Sequence, residues 1–122
     1  MLIDDFFTLK SIEYTNDIIH AQICLNENHR IFEGHFPGKP VVPGVCLIQS
    51  IKEIIEKHLD KTFLLSSSSI IKFLIPVIPQ NYPIINIKIR FSFQPENRIK
   101  TDAQIYFENS VFVKFKGDFL EV

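Results

Sequence analysis

An α+β domain, with a curved antiparallel sheet wrapped around one central helix, is predicted by three features of the sequence. The first is a single helix-length apolar run, from about Gly44 to Leu59, whose hydrophobic positions cover half of the helical wheel. The second is a clean alternation of apolar and polar residues from Ile85 to Phe93. The third is a pair of alternating segments that follow it across short turns, which makes a meander.

Each element has its own signal. Ile19, Ala21, Ile23 and Leu25 alternate with His20, Gln22 and Cys24, the pattern of a half-buried strand. In the helix, at about 100° per residue, Leu47, Ile48, Ile51, Ile54, Ile55 and Leu59 share one half of the wheel with Val45, and only Lys52 intrudes. Ser66 to Ser69, with β-branched neighbours, fit a strand edge or a turn. Ile85, Ile87, Ile89, Phe91 and Phe93 alternate with Asn86, Lys88, Arg90 and Ser92. Gln94 to Asn97, containing Pro95, form a turn before a strand near Ile99 to Phe107. The two-residue turn Asn109-Ser110 then leads into Val111, Val113 and Phe115, alternating with Phe112, Lys114 and Lys116. The open edges of such a sheet predict edge-to-edge pairing with a second copy.

The length of 122 residues fits one domain, 1–122, large enough to bury a core without disulfides or metal. A net charge of -1 gives no bulk attraction to nucleic acid or an anionic membrane. Cys24 and Cys46, with no metal-ligand spacing, are expected to be reduced thiols. The start, MLIDDFF, carries no basic region ahead of an apolar one, and no apolar run reaches the ~18 residues of a membrane span. The expected location is the cytoplasm.

The chemistry concentrates in His35 to Gln49, HFPGKPVVPGVCLIQ. Pro37, Pro40 and Pro43 stiffen the loop, and Gly38 and Gly44 let the backbone approach a ligand. Pro43 suits a helix start, and Gly44 bares the first amides there. Those N–H groups, at the positive end of the helix dipole, suit a carbonyl oxygen that becomes negative during reaction. His35 can exchange a proton near neutral pH. Gln49 sits about one and a half turns into the helix, at the border of its apolar face.

HFPGKPVVPGV closely resembles the active-site signature of the β-hydroxyacyl-acyl carrier protein dehydratases, which have the hot-dog fold. NHRIFEG (28–34) fits the approach to that motif, and Lys72-Phe73 with Pro76-Val77-Ile78-Pro79 resembles the family's KF…PVxPGD segment. The resemblance implies that His35 removes the C2 proton of a 3-hydroxyacyl thioester and that the Gly44 amide polarises its carbonyl. Phe36, Gly38, Pro43 and Val45 become the expected substrate contacts. It also implies a homodimer or higher oligomer whose sites combine residues of two chains. The substrate would be carried on the phosphopantetheine of acyl carrier protein or on CoA, with no other cofactor and no metal.

One position departs from the family. Its acid, fourteen residues after the histidine, is Gln49 here, and an amide cannot release a proton. Losing a general acid typically costs ~10²–10⁴ in rate. Glu53, one turn further along, is the nearest carboxylate, and as an exposed helix residue its expected role is solvation. The PGD turn becomes Pro79-Gln80-Asn81. Three readings stay open: dehydration with His35 alone, as for a substrate whose product is a conjugated polyene; a hot-dog thioesterase; or a weakened acyl-thioester-binding homologue that partners an active one. His20, His29 and His58 offer no metal pattern, and Lys88 and Arg90 read as the solvated side of a strand. Cys46 would gain thiolate character from the dipole, although a small packing residue is the simpler reading.

Overall fold

The computed structural model describes residues 2–33 and 40–122. Six strands, β1 (Phe7–Thr15), β2 (Ile18–Leu25), β3 (Phe63–Phe73), β4 (Ile84–Gln94), β5 (Arg98–Phe107) and β6 (Ser110–Glu121), form one sheet. Its order is β1-β2-β4-β5-β6-β3, with every neighbouring pair antiparallel. The helix α1 (Gly44–Leu59) lies between β2 and β3 in sequence and packs on the apolar side of the sheet. The predicted architecture is therefore present, including the β4-β5-β6 meander.

The core forms where strand alternation meets the helix. Ile19, Ile23, Ile85, Ile87, Ile89, Ile105, Val113, Phe115 and Phe119 point inward from the strands, and Leu47, Ile51, Ile54 and Ile55 meet them from α1. Phe93, placed inward by its alternation, is 65% exposed because β4 runs past the covered part of the sheet.

Two strands hide behind bulges. β1 carries no clean alternation because its pairing with β2 shifts between Leu9 and Ser11. A skipped residue flips every later side chain to the other face. β3 pairs with β6 through two such shifts, Leu65/Ser67 and Ser68/Ile70. The residues left over, Ser66 and Ser69, donate their hydroxyls to the carbonyls of Asp118 (3.1 Å) and Lys116 (3.5 Å). The serine run is thus a strand edge, one of the two outcomes its composition allowed.

Turn chemistry sets the hairpins. Asn16 and Asp17 both take positive φ (54° and 64°) between Thr15 and Ile18, as a two-residue hairpin turn requires. The last hairpin turn is Glu108-Asn109, one residue earlier than expected, because Ser110 already pairs with Phe107. A shift at Ile105/Tyr106 then lets both Phe112 and Val113 be buried. Asp60, in the left-handed region, ends α1 with its N–H bonded to the Glu56 carbonyl.

Ile54 has no solvent exposure, at the centre of this core. Ile54→Ala is expected to cost about 3 kcal/mol of stability, measured as a lowered urea midpoint with an unchanged slope.

Candidate active site

The helix start is built without a side-chain cap. Pro43 is extended (φ -60°, ψ 140°), and its carbonyl accepts from Cys46 N–H (3.0 Å) and Leu47 N–H (3.3 Å). Among the described residues, the Gly44 and Val45 N–H groups have no hydrogen-bond partner. They remain available to an oxygen, as the sequence suggested for Gly44. Val42 N–H donates to the Val77 carbonyl (2.9 Å), tying the run into α1 to the stretch after β3.

Phe73, at the end of β3, lies close over Gly44. A Cβ at position 44 would lie 2.7 Å from the tip of the Phe73 ring, so the absent side chain lets an aromatic ring cover the first turn. That ring, Leu74, Ile75 and Val45 leave an apolar, solvent-facing surface, and Val45 is 75% exposed.

The helix face differs from the wheel. Cys46, Ser50 and Glu53 are buried, whereas Val45 is outside. The buried arc is rotated toward these small or polar residues, and Ser50 and Glu53 are hydrogen-bonded where they lie. Ser50 donates its hydroxyl to the Cys46 carbonyl (2.7 Å). Burial raises the Cys46 thiol above its ordinary pKa, in keeping with its reading as a small packing residue.

Glu53 is the largest correction. Far from being solvated, it is 1% exposed. Its carboxylate accepts Leu2 N–H on both oxygens (3.0 and 2.9 Å), Ile3 N–H (2.9 Å) and the Gln49 amide nitrogen (2.8 Å). Gln49, half-buried, therefore meets Glu53 directly, and both border a cleft of about 470 Å³ that runs from Ile3 and Asp4 along Lys52 to Lys57, Asp60 and Lys61 at the far end of α1 and does not include Gly44. The sequence put the two on similar faces of α1, but burial of the pair depends on the N-terminal segment folding over it. A larger cavity, about 990 Å³ near Tyr14, Phe91, Phe93 and Thr101, includes neither Gly44 nor Gln49.

His35, Phe36 and Gly38 lie outside the described residues. Just before them, His29 caps the short 3-10 turn Arg30–Phe32 by accepting Ile31 N–H at Nδ1 (3.0 Å). Its Nε2 therefore donates to Asp5 (3.1 Å), and this bond holds the Asp5 carboxyl below the usual range. His29 is thus a structural anchor. His58 stacks on Tyr14 at 4.6 Å, away from the helix start.

The family model of the ApeI-like proteins, described as ApeI dehydratase, matches residues 11–107. The 3-hydroxyacyl-acyl-carrier-protein dehydratase FabZ of Caulobacter vibrioides is 28% identical over 94 residues, covering 77% of this chain and 55% of the relative. FabZ of Fusobacterium nucleatum is 26% identical over 108 residues, with 84% and 75% covered. The chain spans about half the length of the Caulobacter relative. Among solved structures, the dehydratase heterocomplex ApeI:P of Xenorhabdus doucetiae matches with a TM-score of 0.71 at 20% identity, over 93% of this chain and 97% of that one. A hypothetical thioesterase of Streptococcus pneumoniae with coenzyme A matches at 0.64 and 13% identity, over 95% and 85%. These likenesses establish the hot-dog fold.

Two measurements check the site. Cys46 is expected to react with a thiol reagent far more slowly than the partly exposed Cys24, each followed in the variant lacking the other thiol. Glu53→Ala, which strands the Leu2 and Ile3 N–H groups, is expected to cost about 2 kcal/mol or more in thermal or urea unfolding.

Proposed function

Because this chain belongs to the ApeI-like dehydratase family, we propose that it removes water from a 3-hydroxyacyl thioester, or adds it in reverse. The acyl group would be held on the phosphopantetheine of acyl carrier protein or on CoA, in fatty acid or polyene synthesis. The observation that carries the reading is the Gly44 amide, without a partner among the described residues, on the first turn of α1 and inside a family match that spans the whole HFPG…PG stretch.

The chemistry follows from the groups present. The Gly44 N–H and the helix dipole stabilise the thioester oxygen as the C2 proton leaves to His35. Gln49 cannot supply the proton that turns the C3 hydroxyl into water. His35, once protonated, returns the proton it took, so one imidazole serves as base and then as acid. A conjugated product lowers the demand on that second step. Pro43 and Val45 border the amide, with Phe36 and Gly38 as substrate contacts in the preceding loop.

The second subunit is argued from the sheet. Among the described residues, β6 is the one strand hydrogen-bonded to β3, and Leu64, Leu65, Ile71 and Phe73 along β3 are exposed. An apolar, unpaired edge of this length suits pairing with a second copy, which would bring the two helix starts into one assembly. A second reading is favoured by Gln49 itself: with no acid at that position, the chain would serve as the partner of an acid-bearing homologue, as in a heterocomplex.

Absorbance at the enoyl thioester band tests both. Wild type is expected to hydrate a trans-2-enoyl thioester, with at least ~10²-fold loss in His35→Ala. Silence of wild type alone, with turnover on mixing with an acid-bearing homologue, would select the second reading. In light scattering, Ile71→Lys is expected to shift a dimer toward monomer.

A further inference from the structure

We infer that Glu53 is a positioning residue for Gln49, and that the direction of their hydrogen bond decides which atom of Gln49 a substrate meets. The inference rests on the dehydratase reading above. The Glu53 carboxylate is buried, and each of its partners is an N–H: Leu2, Ile3 and the Gln49 amide, at 2.8–3.0 Å. An ionised carboxylate only accepts. The nitrogen of Gln49 is therefore turned toward Glu53, and its carbonyl oxygen is the end left for the cleft they share.

A side-chain amide has two orientations of nearly the same shape and opposite hydrogen-bonding sense. Without a fixed neighbour, Gln49 would offer a substrate hydroxyl either a donor or an acceptor. Glu53 removes that freedom because it is itself held by two backbone amides of the N-terminal segment. The sense matters for loss of water. As the C3–O bond breaks, the departing oxygen must take up a proton through a lone pair while keeping its own hydrogen. An acceptor at Gln49 engages that hydrogen and leaves the lone pairs open to the proton donor. An N–H at Gln49 would compete for the same lone pairs.

Glu53→Gln separates this role from mere packing. The replacement keeps the shape and an oxygen for Leu2 and Ile3, but it turns an N–H toward Gln49, which must flip and present its own N–H to the cleft. The full chain is assayed with a 3-hydroxyacyl pantetheine thioester, alongside thermal melting. Glu53→Gln is expected to melt near wild type while kcat falls about tenfold or more and KM changes less than about twofold. The double variant Gln49→Glu with Glu53→Gln rebuilds the bond with its sense reversed, residue 53 now donating, and keeps an acceptor oxygen toward the cleft. It is expected to recover kcat above both Glu53→Gln and Gln49→Glu alone, the latter setting two carboxylates against each other. An unchanged kcat in Glu53→Gln overturns the inference. So does a loss that tracks a lowered melting temperature, or one the double variant does not recover. Wild type without turnover ends the dehydratase reading and this role with it, whereas turnover that Glu53→Gln leaves intact ends the role of Glu53 alone.

Discussion

A single helix whose buried face spans more than half its circumference cannot be covered by a flat surface, and the rest of the fold answers that constraint. The sheet has to curve around α1, and its inward positions are mostly Ile, Val and Phe, with Thr101 and Ala103 on β5 and Gly117 on β6 among them. Curvature also explains the bulges in β1 and β3, which raise local twist and let the sheet bend at its ends. The same geometry leaves β3 at an edge of the sheet with Leu64, Leu65 and Ile71 exposed along it.

Burial on that scale takes polar groups inside with it: Ser50 and Glu53 are hydrogen-bonded there, whereas the buried Thr101 hydroxyl has no partner among the described residues. Ser50 folds back on the helix carbonyl of Cys46. Glu53 takes a more distant route: the N-terminal segment crosses the helix and offers it the backbone of Leu2 and Ile3. Structure and chemistry are joined at that point, because the same carboxylate holds the one polar side chain that stands where the family's acid would be.

The helix start combines two separate provisions. Proline and glycine in sequence leave the first amides bare, and Phe73, arriving from β3, fills the space that a side chain at 44 would need. An acyl group meeting those amides would lie beside the exposed Val45 and the Phe73–Ile75 stretch, next to the edge that a second subunit would cover.

The sequence by itself determined the helix limits, Gly44 to Leu59, the β4-β5-β6 meander and the family motif that leads into the helix start. Those features are local: period 2, period 3.6, and proline and glycine at fixed spacing act over a few residues. Tertiary structure decided what depends on contacts across the chain. Bulges cancelled the alternation that would have revealed β1, and the rotation of α1 buried Cys46 and exposed Val45, which a wheel drawn from side-chain hydropathy cannot weigh. Glu53 is the clearest case. Its partners are backbone N–H groups about fifty residues away, and main-chain donors leave no mark in side-chain pattern, so only the folded chain could turn an ordinary helix glutamate into a buried clamp on Gln49.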